Sequence, residues 1–361
     1  MELIELEGTP GAMGRTFGRR CRDAVHGLYR ARLANALEQA RTYGGRALNE
    51  ARLLAVAARC LPLVRDHHPE GFEELSGIAE GADMDLARIW AMNALTDLRD
   101  YAAYAEDLGA PSAPEGEGCT AIVVGSGRSA TGGCLAGQTW DLSTDNLPFV
   151  CLVRRRPSHG PATVCLTTVG CLSLIGVNEA GVAVGTTNLR TTDVQLGVGY
   201  LDVIHRALSQ DCRAAATRAV REATRMAAHF FWVVDAAGAV AIEGSGRAAL
   251  EATVAPEEVY VHANHALTAP VRAVEAAGTP MASSHHRQAR AEVLTRAAPR
   301  TTPEALRAML GDGEGAELAI CRRDFAGIST NGALVVDPGQ GSAWAVQGPP
   351  ADADWLELPV R

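Results

Sequence analysis

Four β-hairpin signatures constrain the fold of this chain more than any other feature. Each combines two apolar runs rich in β-branched residues with a connecting turn, and they occupy residues 121–140, 175–184, 230–242 and 334–346. In the last three turns, an Asx residue that can hydrogen-bond its own backbone is followed by a glycine that accepts positive φ. Strands joined by such short turns pair antiparallel, so the pattern argues against a doubly wound parallel sheet.

Helical stretches precede and separate these hairpins. Ala, Leu and Arg dominate where β-branched residues are few, which predicts helices over 23–64, after Glu70, and over 85–104, 199–209, 213–226, 286–297 and 303–311. A short strand over 3–6 opens the chain, and Gly11, Gly14 and Gly18 predict close packing just after it. Fully apolar strands such as 121–124 indicate sheets covered on both faces. We therefore expect an α+β fold, a layered sandwich of antiparallel sheets preceded by a mainly helical segment.

Composition narrows the classes of partner. The formal net charge is -9, whereas nucleic-acid binding depends mainly on Lys and Arg contacts to phosphate, so no nucleic-acid partner is expected. No run of 18 apolar residues and no signal-peptide pattern at the start are present, which predicts a cytoplasmic protein without a membrane partner. The nine cysteines contain no pair at two-residue spacing, and the histidine pairs lack ligands at helical spacing. We expect neither a metal nor a cofactor.

One cysteine occupies a position at which it could act as a nucleophile. Residues 107–118 are small, acidic and proline-containing, which predicts an exposed linker, and Cys119 begins the strand that follows. If Gly118 permits a strained turn, the thiol can attack the Gly118 carbonyl, and hydrolysis of the thioester then frees an α-amine on Cys119. The ordinary pKa of such an amine, about 7.7 to 8.0, suits a general base. From Gly118-Cys119-Thr120 alone, a buried strand thiol is the equally available interpretation.

Five ordered blocks give the motif a context: Gly118-Cys119-Thr120 with Gly137-Gln138-Thr139-Trp140-Asp141, Asn178-Glu179-Ala180-Gly181-Val182, Thr187-Asn188-Leu189, His262-Ala263-Asn264-His265, and Ser283-Ser284-His285-His286-Arg287. Their order resembles the acyl-coenzyme A:6-aminopenicillanate acyltransferase family of N-terminal nucleophile hydrolases, peptidase family C45. The resemblance implies an αββα four-layer sandwich. Penicillin V acylases and bile salt hydrolases are similar in block order but usually have arginine where this chain has Gln138, which favours the acyltransferase branch.

The resemblance also implies site residues. Asp141 would hold the Cys119 α-amine or orient its thiol, and Asn264 would donate an N–H to the oxyanion of the tetrahedral intermediate. Asn188 would bind the substrate carbonyl or complete that oxyanion hole, and Arg287 would lower the thiol pKa. Taken singly, Asp141 also fits a turn aspartate, Asn188 a turn cap, Arg287 a helix-surface arginine and Ser284 a helix N-cap.

These expectations combine into one functional hypothesis. Self-cleavage between Gly118 and Cys119 would give a helical segment, 1–118, and a catalytic segment, 119–361, which stay associated as one unit. The product would cleave or form a carboxamide through an acyl-Cys119 thioester, acting on a small-molecule amide or acyl thioester. Two alternatives remain: an N-acyltransferase that uses a coenzyme A thioester, and an unprocessed homologue that binds a partner without catalysis.

Overall fold

The computed structural model describes residues 1–43, 49–105, 118–277 and 281–360 of the chain. The N-terminal part contains one strand and six helices: β1 (Leu3–Gly8), α1 (Pro10–Arg20), α2 (Arg22–Tyr43), α3 (Glu50–His67), α4 (Pro69–Ala82), α5 (Leu86–Asn93) and α6 (Leu95–Tyr104). Of the predicted linker over 107–118, only Gly118 lies within the described residues.

The remaining elements mix strands and helices. They are β2 (Gly118–Val124), β3 (Leu135–Ser143), β4 (Val150–Pro157), β5 (Thr163–Thr168), β6 (Ile175–Asn178), β7 (Ala183–Asn188), α7 (Tyr200–Leu208), α8 (Arg213–Arg221), β8 (His229–Asp235), β9 (Gly238–Gly244), β10 (Ala249–Val254), β11 (Val259–His262), α9 (Ala269–Arg272), α10 (Ala282–Ala297), α11 (Pro303–Leu310), β12 (Ile328–Asp337), β13 (Ser342–Gln347) and β14 (Leu356–Pro359).

The strands form two sheets. One sheet has the order β1-β4-β5-β6-β7-β8-β9-β10, and the other has the order β11-β2-β3-β12-β13-β14. The four predicted hairpins are present as β2–β3, β6–β7, β8–β9 and β12–β13, each paired antiparallel. Among the pairs of named strands, only β1–β4 is parallel, because β1 joins the edge of its sheet from the N-terminal part. The predicted antiparallel architecture is confirmed.

Successive side chains of each strand point to opposite faces of its sheet, and this alternation produces two cores and four layers. Ala121 and Val123 of β2 pack between the two sheets, whereas Ile122 and Val124 pack with Leu306 of α11 in a separate core on the outer face. Helices α10 and α11 cover that face, while α7 and α8 cover the outer face of the eight-stranded sheet. The arrangement is therefore the predicted αββα four-layer sandwich.

The helices lie where they were predicted, but some of their boundaries differ. The predicted helix over 85–104 is interrupted at Ala94, and α10 begins four residues before the predicted start at His286. The expected close packing near the start is confirmed between α1 and α4, where a Cβ on Gly14 would lie 2.1 Å from the Glu74 carbonyl oxygen. Within the described residues, no helix is both long and apolar enough to span a bilayer.

Candidate active site

Cys119 is the second residue of β2 and its side chain faces the space between the sheets. It lies directly opposite Trp140 in the β2–β3 pair, so both side chains project from the same face. The residue is 7% exposed. The backbone N–H groups of Asp141 and Asn188 lie near the thiol and favour its thiolate form. The end of β7 and the adjacent strand β3 thus place two N–H groups around one sulfur atom.

The environment of this thiol favours its protonated form in the uncleaved chain. Burial raises the pKa of Cys119 to about 12, and the Asp141 carboxylate adds to the rise. The Arg287 charge and the backbone N–H groups of Asp141 and Asn188 lower the pKa. The predicted direction of the Arg287 effect is therefore present, but burial outweighs it.

Asn264 joins the nucleophile to its neighbours through both ends of its amide. Its Oδ1 accepts from the Cys119 backbone N–H at 2.8 Å and from Arg287 Nη2 at 2.8 Å, and its Nδ2 donates to the Asn188 carbonyl at 2.9 Å. Two donors meet the oxygen and one acceptor meets the nitrogen, so the opposite amide orientation would lose all three bonds. One Nδ2 hydrogen remains after this count.

Arg287 is a buried cation and not the helix-surface arginine that the sequence also allowed. It is 1% exposed on α10, and its guanidinium donates to the Cys119 carbonyl oxygen, to Thr120 Oγ1 at 3.0 Å and to Ser283 Oγ at 3.1 Å. Burial lowers its pKa to about 10, although the Asp141 carboxylate opposes that effect. The alternative for Ser284 is also wrong, because α10 is preceded by Met281 at its N-cap, and Ser284 Oγ accepts from the Asn264 backbone N–H.

Gly118 lies against the charged groups of the site. A Cβ at this position would be 2.8 Å from Arg287 Nη2 and 3.3 Å from Asp141 Oδ2. The expectation of a strained turn is wrong, because Gly118 is the first residue of β2 and is not among the positive-φ glycines of the described chain. Because glycine has no side chain, Gly118 leaves room for the two charged side chains beside it.

Asp141 lies on β3 opposite Gly118, which excludes the turn-aspartate alternative. Its Oδ1 accepts from Thr330 Oγ1 at 2.8 Å, and its Oδ2 lies 3.8 Å from Arg322 Nε. Burial raises the pKa of this carboxyl, while Arg322 and Arg287 lower it. Within the described residues, Oδ2 has no hydrogen-bond partner. An under-coordinated carboxylate oxygen therefore faces the Gly118-Cys119 peptide.

Asn188 ends β7, as predicted. Its backbone contributes twice to the site, because its N–H lies near the Cys119 thiol and its carbonyl oxygen accepts from Asn264 Nδ2 at 2.9 Å. Its Oδ1 is buried without a hydrogen-bond partner in the part of the chain that the structure describes. All five predicted residues, Cys119, Asp141, Asn188, Asn264 and Arg287, thus meet around the start of β2.

The sequence reasoning missed a buried histidine that supports both asparagines. His262 Nε2 lies 2.9 Å from Glu243 Oε1, and its Nδ1 lies 2.9 Å from Thr187 Oγ1 and 2.8 Å from the Ala263 carbonyl oxygen. Thr187 precedes Asn188, and Ala263 precedes Asn264. The signal was available, because His262 stands in the quoted His-Ala-Asn-His block. Ser283, which accepts from Arg287, likewise stands in a quoted block, whereas Arg322, which lies beside Asp141, gave no comparable signal.

Gln138 has a structural role that its position in the motif did not reveal. The side chain is fully buried, and its Oε1 accepts from the Thr186 N–H at 2.9 Å and from Trp232 Nε1 at 2.8 Å. Its Nε2 donates to the Thr186 carbonyl. The amide therefore joins β3 to β7 and β8 across the interior of the sandwich and brings no charge to the site.

The fold and the site together define a class. A four-layer αββα sandwich carries a thiol near the start of a sheet strand, surrounded by backbone and amide donors and a buried arginine. Such a sandwich is the architecture of N-terminal nucleophile proteins of the amidohydrolase and acyltransferase type.

The comparisons with known proteins agree with this class and narrow it. The profile of the family described as acyl-coenzyme A:6-aminopenicillanic acid acyl-transferase matches residues 129–347, more than half of the chain. The acyl-coenzyme A:6-aminopenicillanic-acid-acyltransferase 40 kDa form of Emericella nidulans is 25% identical over 335 residues, which cover 92% of this chain and 87% of that protein. The chain belongs to the acyl-coenzyme A:6-aminopenicillanic acid acyl-transferase family. The resemblance stated from the motifs is confirmed.

Solved structures with partial similarity include an acid amidase and an acylase. The N-acylethanolamine-hydrolyzing acid amidase ortholog of Caenorhabditis elegans has a TM-score of 0.45 and 16% identity, covering 61% of this chain and 93% of that one. Penicillin V acylase from Agrobacterium tumefaciens has a TM-score of 0.44 and 13% identity, covering 66% of this chain and 86% of that one.

Proposed function

We propose that this protein is a self-cleaving amidohydrolase or acyltransferase that forms an acyl thioester on Cys119. The observation that carries the proposal is the convergence on one residue: Asn264 Oδ1 accepts from the Cys119 backbone N–H, Arg287 donates to the Cys119 carbonyl oxygen, and the backbone N–H groups of Asp141 and Asn188 lie near the thiol and favour its thiolate form. A thiol that is buried only for packing would not need these polar groups around it.

Self-cleavage would begin with attack of Cys119 Sγ on the Gly118 carbonyl carbon. The thiol proton would pass to the Cys119 nitrogen as the Gly118-Cys119 C–N bond breaks, which leaves a thioester and a new α-amine. Asp141 Oδ2 is the candidate carrier of that proton, because it faces Gly118 and has a raised pKa. Water then hydrolyses the thioester to a Gly118 carboxylate and a free thiol.

Turnover would repeat the chemistry on a substrate. The α-amine of Cys119 accepts the thiol proton as sulfur attacks the substrate carbonyl, and it returns the proton to the departing amine. The remaining Nδ2 hydrogen of Asn264 and the Asn188 backbone N–H are suitable donors to the oxyanion, a role that contributes roughly 3 to 4 kcal/mol in other acyl-transfer enzymes. Water or a second amine then takes the acyl group from Cys119.

We also propose that segments 1–118 and 119–361 remain together after cleavage. Strand β1 pairs with β4 inside the eight-stranded sheet, so the helical segment contributes to the sandwich itself. A buried ion pair links the two parts as well, since Arg155 Nε lies 2.8 Å from Glu74 Oε1. Separation would expose both the strand edge and two buried charges.

Transfer from a coenzyme A thioester is the second candidate, favoured by the description of the family and the name of the Emericella nidulans relative. Amide hydrolysis and transfer from a thioester share the acyl-Cys119 intermediate. They differ in the molecule that donates the acyl group to Cys119 and in the molecule that accepts it. Addition of an amine nucleophile separates them: amide product that grows with amine concentration at constant total acyl release indicates transfer from a common thioester.

Intact mass spectrometry tests the processing step. The expressed chain is expected as two fragments of 118 and 243 residues, and Cys119→Ala as one chain of 361 residues. Replacement of the exposed Cys212 by alanine is the matched control and should process normally. A folded wild-type chain that never cleaves would support a non-catalytic binding protein, and cleaved fragments in Cys119→Ala would remove Cys119 from processing.

A further inference from the structure

A narrow cavity lies on the inner face of β3, close to the nucleophile. Its volume is about 60 Å³, and Trp140, Leu142, Tyr200 and Arg32 are among its lining residues. Cys119 faces the same side of the sheet as Trp140, because the two residues are direct partners across β2 and β3. Burial raises the pKa of Tyr200, and Arg32, Asp97 and Cys119 are among the charged groups that act on it.

Arg32 is bound to the protein by neutral groups. Its Nε donates to Asn146 Oδ1 at 2.9 Å, and its Nη1 donates to the Met92 carbonyl at 2.8 Å and to Cys171 Sγ at 3.5 Å. Its Nη2 donates to Thr168 Oγ1 at 3.1 Å. A guanidinium has five N–H groups, so these four bonds leave one Nη2 hydrogen without a partner among the described residues.

Arg32 also forms no ion pair with a described residue. The residue is 8% exposed, and no carboxylate of the described chain contacts it. Arg99, the second arginine at the cavity, differs because its Nε lies 3.1 Å from Asp100 Oδ1. None of the described residues lining the cavity is acidic. A buried cation without a counter-charge costs stability unless an anion is supplied from elsewhere.

We infer that Arg32 is the anchor for a carboxylate on the substrate. The inference rests on the proposed function for its meaning, since it assigns the substrate of the Cys119 site to the class of amides that bear a carboxylate near the reacting carbonyl. The leftover Nη2 hydrogen supplies a charge-assisted bond, and the guanidinium supplies the counter-charge. A single buried water needs about 10 to 15 Å³ by a comparable measure, so the cavity admits one small polar group and not a whole substrate.

Calorimetric binding tests the inference without any turnover, using protein assembled from the two segments 1–118 and 119–361 produced together, with Cys119→Ala in the second segment. The segments are produced as separate chains because Cys119→Ala is not expected to cleave the full chain. The probes are N-acetylglycine, N-hexanoylglycine and N-phenylacetylglycine, each compared with its uncharged glycinamide. At least one acid is expected to bind about 10-fold or more tightly than its amide, since a buried hydrogen bond to a charged group has that effect. Arg32→Gln should abolish the preference and Arg32→Lys should retain part of it. Arg30→Gln, an exposed arginine on the same helix, is the matched control and should bind like the parent.

Each outcome decides the question. Equal affinity of acids and amides, or no binding of any acid, overturns the assignment of Arg32, as does a preference that survives in Arg32→Gln. If Arg32→Gln fails to fold, the ratio in the parent protein and its change in Arg32→Lys decide instead. Binding of acids with the expected preference, together with absence of any amine release by the wild-type chain, would leave the carboxylate site intact and refute the proposed function.

Discussion

Gly118→Ala is expected to slow self-cleavage without unfolding the chain. The new Cβ would be 2.8 Å from Arg287 Nη2, about 0.6 Å closer than the 3.4 Å at which ordinary contact begins. Arg287 cannot swing away freely, because its other nitrogens bind Ser283, Thr120 and the Cys119 carbonyl. Displacement of Nη2 is therefore expected to weaken its 2.8 Å bond to Asn264 Oδ1. Loss of a hydrogen bond to a charged group contributes about 1.5 to 3 kcal/mol, or roughly 10- to 150-fold in rate.

The assay is a time course of intact mass during cell-free synthesis, which follows the uncleaved fraction from the moment the chain is made. Gly133→Ala is the matched control, because a Cβ there meets nothing closer than 3.4 Å and the residue lies just before β3 of the same hairpin. Cleavage of Gly118→Ala at the wild-type rate would refute the claim that the Arg287–Asn264 contact contributes to processing. Loss of secondary structure in circular dichroism would instead identify a folding defect.

Three further predictions follow from the site and its surroundings. Asp141→Asn and Asn264→Ala should remain folded and lose about 100-fold or more in turnover, measured as kcat/KM on processed protein; near-normal turnover by Asn264→Ala would refute its oxyanion role. In uncleaved chain, iodoacetamide should label the exposed Cys212 first, because the Cys119 pKa near 12 leaves roughly one thiolate in ten thousand at about pH 8. Burial raises the Glu74 pKa, but Arg155 and His205 lower it from 4.5 to about 2, so stability present above pH 4.5 should be lost as pH falls toward 2, by on the order of 3 kcal/mol. Urea unfolding at several pH values checks this, and Glu74→Gln should lack that part of the pH dependence.

The sheets were predictable because their information is local. Apolar runs and the turns between them specify each hairpin within about 20 residues or fewer, and all four hairpins appear in the expected antiparallel pairs. The information that determines how two hairpins face each other is not contained in either hairpin's own sequence. Gln138 illustrates the difference, since its partners Thr186 and Trp232 lie in strands far along the chain and nothing in its neighbours indicates them.

The residues of the site could be predicted from the sequence, but most of the hydrogen bonds between them could not. Motif order brought Cys119, Asp141, Asn188, Asn264 and Arg287 together, but the directions of their hydrogen bonds depend on side chains that no pattern specifies. Gly118 was singled out for conformational freedom, whereas the structure uses its lack of a side chain. Arg32 was not singled out at all, because an arginine in an Arg-rich helix carries no sign of burial in the sequence.

The central claim is that Cys119 carries the acyl group, and one measurement addresses it directly. Enzyme quenched in acid during turnover of a carboxamide substrate is digested and mapped by mass spectrometry. The account predicts an N-terminal peptide beginning at Cys119 with the mass of the acyl group added through a thioester that hydroxylamine removes. Steady turnover with an unmodified Cys119 peptide, and with activity preserved in Cys119→Ala, would contradict it.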